Sequence, residues 1–509
     1  MVRNKGLRSI LVALLLSVFL ICWGGNTQAA SKKEITIAFS AFAPTLDPQV
    51  QFAMPTYSMC RFMFDPLIYF DWDMKLRPWL AEKWERLDDL TWKLYLKKGV
   101  KFHNGEPFNA AAVKYSMERY LDPALKTPQK KMYQFTERVD VIDDYTVVVK
   151  TNVPMRPFLN FWEIQGVIPP KAGSDYKQFG FNPVGTGPYK FVEYIPNNKV
   201  VVEANPDYWG GRPKYDRITF RLIKEDSTRV AALLTGEVDF ITNVPFDSIP
   251  KIKENPNTVV ETVPSFRGVY LAFHQKKCEA FKDKRVRQAF SYGVDRESLV
   301  KYILGGMAEV ATEPIHPKVE YSHTNVRPHY TYNPEKAKKL LAEAGFAKGL
   351  QVNLGTPYGR YLKDKEVATA IVGQLQNIGV QATVVPTDWG VFRAERGKGK
   401  ESKFDLWLGA WGNVTVDADW ALRWLNHSPT LHGHADPKID ELLDKGRATF
   451  DKAELKKIYY ELQEIIWEDC PVMWLYWQPS IYGLSKDLAD NFEPREDEFH
   501  ILSDRYEIK

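Results

Sequence analysis

The sequence predicts an α/β protein with more than one domain, and three features carry that prediction. The chain has 509 residues, 44% of them hydrophobic, which is too many for one compact core and enough for two or three. Its first half is rich in short alternating stretches separated by turns, the pattern of antiparallel strands and hairpins. Its second half alternates amphipathic helices with short apolar strands, the pattern of βαβ units and a mostly parallel sheet.

Arg3, Lys5 and Arg8 precede a 13-residue apolar run, Ile10 to Cys22, which is too short to span a bilayer. Thr27-Gln28-Ala29 suits a small-residue cleavage site, so residues 1–30 are expected to be a signal peptide. Cys22 raises lipidation as a weaker alternative, because the preceding Ile21 is not small. The formal net charge is +4, and no basic run suggests nucleic acid. The densest positive cluster, Arg393 to Lys403, is broken by Glu395, Glu401 and small residues and reads as a solvated loop. Cys60, Cys278 and Cys470 remain after the leader. In an oxidising compartment an odd number leaves at least one thiol unpaired, and their spacing matches no zinc or redox motif, so they read as structural.

In chain order, Ile35 to Phe39 is a strand, and Thr45-Leu46-Asp47-Pro48 turns towards a helix ending near Met63. Thr91 to Leu96 alternates strictly. Asn109 caps a helix with Ala112, Tyr115 and Ser116 on one face. Val139 to Lys150 is a further alternating stretch. Asn182 to Trp209 contains Pro183-Val184-Gly185-Thr186-Gly187-Pro188-Tyr189, which excludes helix and interior strand. Alternation on both sides of Asn197-Asn198 then predicts a hairpin. Ile218 to Ile223 and the residues around Phe240 read as strands, with a helix from Asp226 between them, and Phe266 to Phe273 is extended.

Further on, helices are predicted over Arg285 to Tyr292 and from Asp295 to Gly305. Another starts at Asn333-Pro334, where cap and first-turn proline coincide, and Gly345 stops it. Leu350 to Leu354 and Gln381 to Val385 are strands around a helix from Lys363 to Asn377. Lys452 to Glu468 is a long helix with Leu455, Tyr459, Leu462 and Ile466 on one face.

Enzyme motifs are missing: there is no Gly-x-Ser-x-Gly elbow, no His-Glu-x-x-His and no phosphate-binding glycine loop. His432-Gly433-His434, with His427 nearby, is the only histidine cluster. It lacks the carboxylate or cysteine that would complete a metal set and reads as a solvated loop. Two segments have the character of ligand loops. Gly355 to Tyr361 lies between a strand and its following helix, where ligands bind in open α/β sheets, and Arg360 offers a rigid fork for a carboxylate or a partner for a surface ion pair. Phe404 to Asp419 runs from a buried strand into a loop bearing Trp411, Asn413, Asp417 and Asp419.

The Asn182–Trp209 stretch, the Lys98-to-Phe108 turn before the Asn109 helix, the Phe266–Phe273 segment and these two ligand segments together resemble the extracytoplasmic solute-binding proteins, family 5, of peptide-, nickel- and opine-type ABC importers. The resemblance covers essentially residues 31–509. It departs at Ala111-Ala112, where relatives usually carry an acidic residue, and at His274, where they often have Asn. It implies a two-lobed periplasmic-binding-protein fold (type II, cluster C) with a two-segment hinge. Lobe I would comprise 31–65, 182–267 and 478–509, with an extra subdomain at 66–181, and lobe II would comprise 268–477.

The implied role is binding without catalysis, cofactor or metal. A peptide-like solute would be captured in the periplasm by a monomer and passed to a permease driven by an ATPase. In dipeptide-binding relatives an arginine at the position of Arg360 holds the ligand carboxylate, Trp389 matches an aromatic pocket position, and Tyr361, next to Arg360, is a further candidate. The relatives' amine-binding aspartate falls at Val414, which leaves Asp417 and Asp419 as substitutes. Trp411 and Asn413 flank the same site. The expected ligand is therefore a carboxylate-bearing solute: a short or modified peptide, or an opine-like conjugate. An oligosaccharide or a metal chelate is the alternative within the binding class, and a secreted hydrolase the alternative outside it.

Overall fold

The structure, a computed structural model, describes residues 34–42, 45–50, 54–164, 166–425 and 433–498. The expected signal peptide, His427 and His432 lie outside the described residues. Among the described residues, eleven strands form one mixed sheet. Its order is 380–387, 350–357, 406–412, 258–273, 472–485, 240–242, 34–39, 217–222, 199–204, 189–195, with the short strand 309–310 pairing 472–485. At one end Glu34–Phe39 runs parallel to both its neighbours, and at the other Leu350–Pro357 does the same.

The two halves are joined by the long antiparallel strands Thr258–Phe273 and Val472–Ser485. Their ladder runs from Thr258↔Ser485 to Val263↔Ser480, breaks, and resumes at Arg267↔Gln478. Pro264 and Pro479 sit in or beside that break. Neither has an N–H to give to a ladder, so the sequence itself weakens the sheet between its halves. This is the two-lobed architecture with a two-segment connection.

Each half has its own core. Ile35, Phe39, Phe62, Val202 and Phe220 pack in the first. In the second, Val269, Leu354 and Leu375 cover one sheet face and Tyr270, Trp407 and Leu462 the other. A separate antiparallel sheet, ordered 81–86, 91–96, 146–151, 136–143, carries a third core with Leu94, Val113 and Trp162.

The Gly-Thr-Gly stretch belongs to the junction of these parts. A Cβ on Gly187 would lie 2.6 Å from the Met63 carbonyl carbon, so glycine is required by close backbone approach. Thr186, Trp79, Tyr208 and Trp209 all donate to the buried carboxylate of Asp65, at 2.9–3.0 Å.

Several sequence expectations are corrected. Val139 to Lys150 is two strands, Thr136–Asp143 and Thr146–Thr151, because the Asp143 carboxylate accepts the Tyr145 N–H at 2.8 Å and turns the chain. Asp295 to Gly305 is a short helix, Arg296–Ser298, followed by a π turn. The Arg393–Lys403 cluster is not a solvated loop. It contains the end of the helix Trp389–Arg396, and Glu395 is buried there, accepting from Lys398 and from the Lys403 N–H.

Candidate ligand-binding site

The loop after the strand Leu350–Pro357 is built by one carboxylate. Asp364 accepts the backbone N–H groups of Gly359, Arg360, Tyr361 and Lys365 at 2.9–3.2 Å. Burial raises its pKa to about 6, against the pull of those four donors. Gly359 supplies the positive φ of 71° that the curl requires. The Leu362 N–H donates to the Gln478 side chain at 3.1 Å, which ties the loop to the connecting strand.

Held this way, Arg360 is half-buried. Its guanidinium lies 5.1 Å from the Trp389 ring centre and 5.4 Å from that of Tyr361, within cation–π range. Trp389 opens its helix, whose N-terminus is capped by Asp388. No acceptor for the Arg360 guanidinium occurs among the described residues. Burial lowers its pKa, and the neighbouring positive charge of Arg267 adds to that. Arg267 itself is neutralised: Glu498 binds it bidentately, and the Ser265 hydroxyl donates to the same carboxylate at 2.9 Å. Arg360 is left with only the longer-range attraction of Glu498 and Asp364.

Arg360 faces two spaces. A chamber of about 40 Å³ also holds Arg267, Gln478 and Glu498. A cavity of about 1180 Å³ also holds Tyr361, Trp389 and Arg393 on one wall and Phe42, Phe181 and Tyr194 on the other.

The second segment divides differently. Strand pairing puts Gly268, Trp411 and Trp477 on one sheet face and Arg267, Gly412 and Gln478 on the other. Trp411 and Asn413 therefore line a separate small chamber, about 10 Å³, with Trp424, Trp474, Trp477 and His316. The Asn413 side-chain oxygen accepts the Asp417 N–H at 3.3 Å, and its NH₂ group is buried without a partner among the described residues. His316 is also buried. Its Nδ1 accepts the Lys318 N–H at 3.3 Å, and burial pushes its pKa down to about 4.

Asp417 and Asp419 require a correction. Asp417 binds Arg156 bidentately at 2.7 and 2.9 Å and caps the helix Ala418–Arg423. Asp419 is fully buried against Arg423 and Arg447. Both carboxylates are committed to arginines, and neither lines the cavity of Arg360. Of the expected residues, Arg360, Tyr361 and Trp389 converge on one cavity; Trp411, Asn413, Asp417 and Asp419 do not join them. The sequence reading missed Arg156, Arg267, Asp364 and Glu498. Asp364, four residues after Arg360, was the one with a local signal. His434, from the histidine cluster, is buried and not solvated as expected, in contact with Gln275 at 3.1 Å and Asp469 at 3.1 Å. Cys60, Cys278 and Cys470 are free thiols.

Comparison with known proteins places this geometry in context. A sequence model of the bacterial extracellular solute-binding proteins, family 5 Middle, matches residues 75–432. A glutathione-binding protein of Escherichia coli O1:K1 / APEC is 33% identical over 496 residues, covering 95% of each chain. The oligopeptide-binding protein AppA of Bacillus subtilis, solved with a nonapeptide, is 25% identical with a TM-score of 0.83, covering 94% of this chain and 98% of its own. AgaA, solved with agropinic acid, from A.tumefacien R10, is 27% identical with a TM-score of 0.82, covering 93% and 96%. The chain therefore belongs to the bacterial extracellular solute-binding proteins, family 5.

Proposed function

We propose that the chain is the solute-binding component of an ABC importer, and that Arg360 holds a carboxylate of a peptide-like solute: a short or modified peptide, or an opine-like conjugate. The observation that carries this reading is the half-buried Arg360 guanidinium. It stacks on Trp389 and Tyr361 and has no acceptor among the described residues, while its neighbour Arg267 is already neutralised by Glu498. A partly desolvated cation without a partner is costly, and a carboxylate fits its fork. Glutathione, a nonapeptide and agropinic acid, the ligands named for the three relatives, share a carboxylate.

Solute enters between lobe I (31–65, 182–267, 478–509, with 66–181 as its extra subdomain) and lobe II (268–477). The proline-broken ladder of the connecting strands absorbs the rotation that closes the lobes. The solute favours the closed form by the contacts it makes only there. Delivery to a permease with its ATPase, from the periplasm and as a monomer without catalysis, completes the reading.

Calorimetric titration with glutathione and with alanyl tripeptides tests it. Arg360→Ala is expected to weaken binding about 10- to 150-fold, the worth of a charge-assisted hydrogen-bonded pair, with Arg360→Lys intermediate. Unchanged affinity in Arg360→Ala would overturn the carboxylate reading and favour a sugar.

A further inference from the structure

The spaces on the two sides of Arg360 differ about thirtyfold in volume, about 40 against about 1180 Å³. The small one already contains Arg267 and the Glu498 carboxylate. The large one lies just above the usual range of ligand pockets, and its lining combines aromatic side chains with charged ones, among them Lys224, Glu225, Asp226 and Asp388. On one wall the rings of Phe181 and Tyr194 stack at 5.8 Å. On the other stand Trp389 and Tyr358. Phe181 is 47% exposed and Tyr358 53% exposed, so both rings present free apolar surface. Arg360 belongs to the linings of both spaces, so a carboxylate it holds sits at the boundary between them.

We infer that this cavity receives a bulky apolar or aromatic group borne next to the solute's carboxylate, sandwiched between Phe181–Tyr194 and Tyr358–Trp389. For a peptide, this is the side chain of the C-terminal residue. The inference rests on the assignment of Arg360 to the carboxylate and adds a selectivity that assignment does not contain. Aromatic rings on both walls give a planar or apolar group a surface to pack on, while charged residues of the same lining, such as Lys224, Glu225 and Asp388, serve the polar parts of the solute. The small chamber offers no space of comparable size, so the bulky group has one direction to take.

The test titrates Ala-Ala-Phe and Ala-Ala-Gly into the full chain, into Arg360→Ala and into the double variant Phe181→Ser/Tyr358→Ser. Both serine positions are exposed, and thermal melts confirm that each variant is folded. The natural chain is expected to bind Ala-Ala-Phe at least about 10-fold more tightly, the worth of burying most of one aromatic side chain. In the double variant the ratio of the two affinities is expected to fall at least about threefold towards one. Arg360→Ala is expected to weaken both peptides and keep their ratio. Equal affinities in the natural chain, or a ratio that survives in the double variant, would overturn the inference and leave the carboxylate assignment standing. Failure of the natural chain to bind either peptide would overturn both.

Discussion

The ion pair between Arg156 and Asp417 makes a quantitative prediction. Arg156 comes from the segment that carries the separate four-stranded sheet, and Asp417 follows the strand Leu406–Gly412, so the pair ties two parts of the fold together. Their side chains are 16% and 8% exposed, and they are joined by two hydrogen bonds, at 2.7 and 2.9 Å. Burial pulls the Arg156 pKa down, and the Asp417 carboxylate more than reverses this. Removing one partner of a buried pair costs about 3–5 kcal/mol, and the residual exposure of Arg156 puts this case at the low end, about 3 kcal/mol. Asp417 has a second duty, because its Oδ1 accepts the Asp419 N–H at 2.8 Å and caps the helix Ala418–Arg423. Asparagine keeps the cap and loses the charge, and alanine loses both. Asp417→Asn is therefore expected to destabilise by about 3 kcal/mol, and Asp417→Ala by roughly 1 kcal/mol more. Urea unfolding followed by tryptophan fluorescence reads these differences. A cycle with Arg156→Ala isolates the pair, with an expected coupling of about 2 kcal/mol. Asp417→Asn within about 0.5 kcal/mol of the natural chain, or a coupling near zero, would refute the reasoning.

Two further outcomes follow from the same structure. With Val414 in place of an acidic residue and Asp417 committed to Arg156, we propose that this loop does not clamp the solute's amine, so N-acetylated Ala-Ala-Phe is expected to bind within about threefold of the free peptide; a loss of about 30-fold or more in calorimetry would show that a carboxylate of the cavity, such as Glu225 or Asp388, serves the amine. His316 supplies a pH dependence. Its folded pKa of about 4 lies below the ordinary value near 6.5, so the unfolded chain takes the proton first and stability is lost as pH falls from 6.5 towards 4. Between pH 7 and pH 5 this amounts to about 2 kcal/mol. Unfolding free energies from urea titration at the two pH values should differ less in His316→Gln by that amount, and an identical pH dependence in both proteins would contradict the assignment.

Local patterns made much of the fold legible. The caps at Asn109 and Asn333, the Asn197 turn and the i, i+3, i+4 faces each involve residues a few positions apart, and the structure has them. The ligand loop was legible for the same reason: a strand, a Gly-Arg curl and a following helix are contiguous, and the Asp364 carboxylate that holds the curl, although missed, is just as local. The partners of Asp417 and Glu498 were not legible. Arg156 lies 261 residues before Asp417, and Arg267 lies 231 residues before Glu498. No periodicity connects charges at that range, so acidic residues that pair internally read like acidic residues awaiting a ligand. The Arg423 partner of Asp419, at i+4, was within reach of helical spacing once the loop was seen to enter a helix. Strand alternation also separates Trp411 and Asn413 from Gly412. That separation followed from the strand's period, but its consequence needed the pairing register with Arg267 and Gln478.

The central claim is that Arg360 waits for a solute carboxylate. Native mass spectrometry of the purified full chain, beside Arg360→Ala prepared identically, tests it most directly, with the bound molecule released and its composition determined. The account predicts a carboxylate-bearing peptide or conjugate on the natural chain and its loss from Arg360→Ala. A neutral sugar, or one solute retained equally by both proteins, would contradict it.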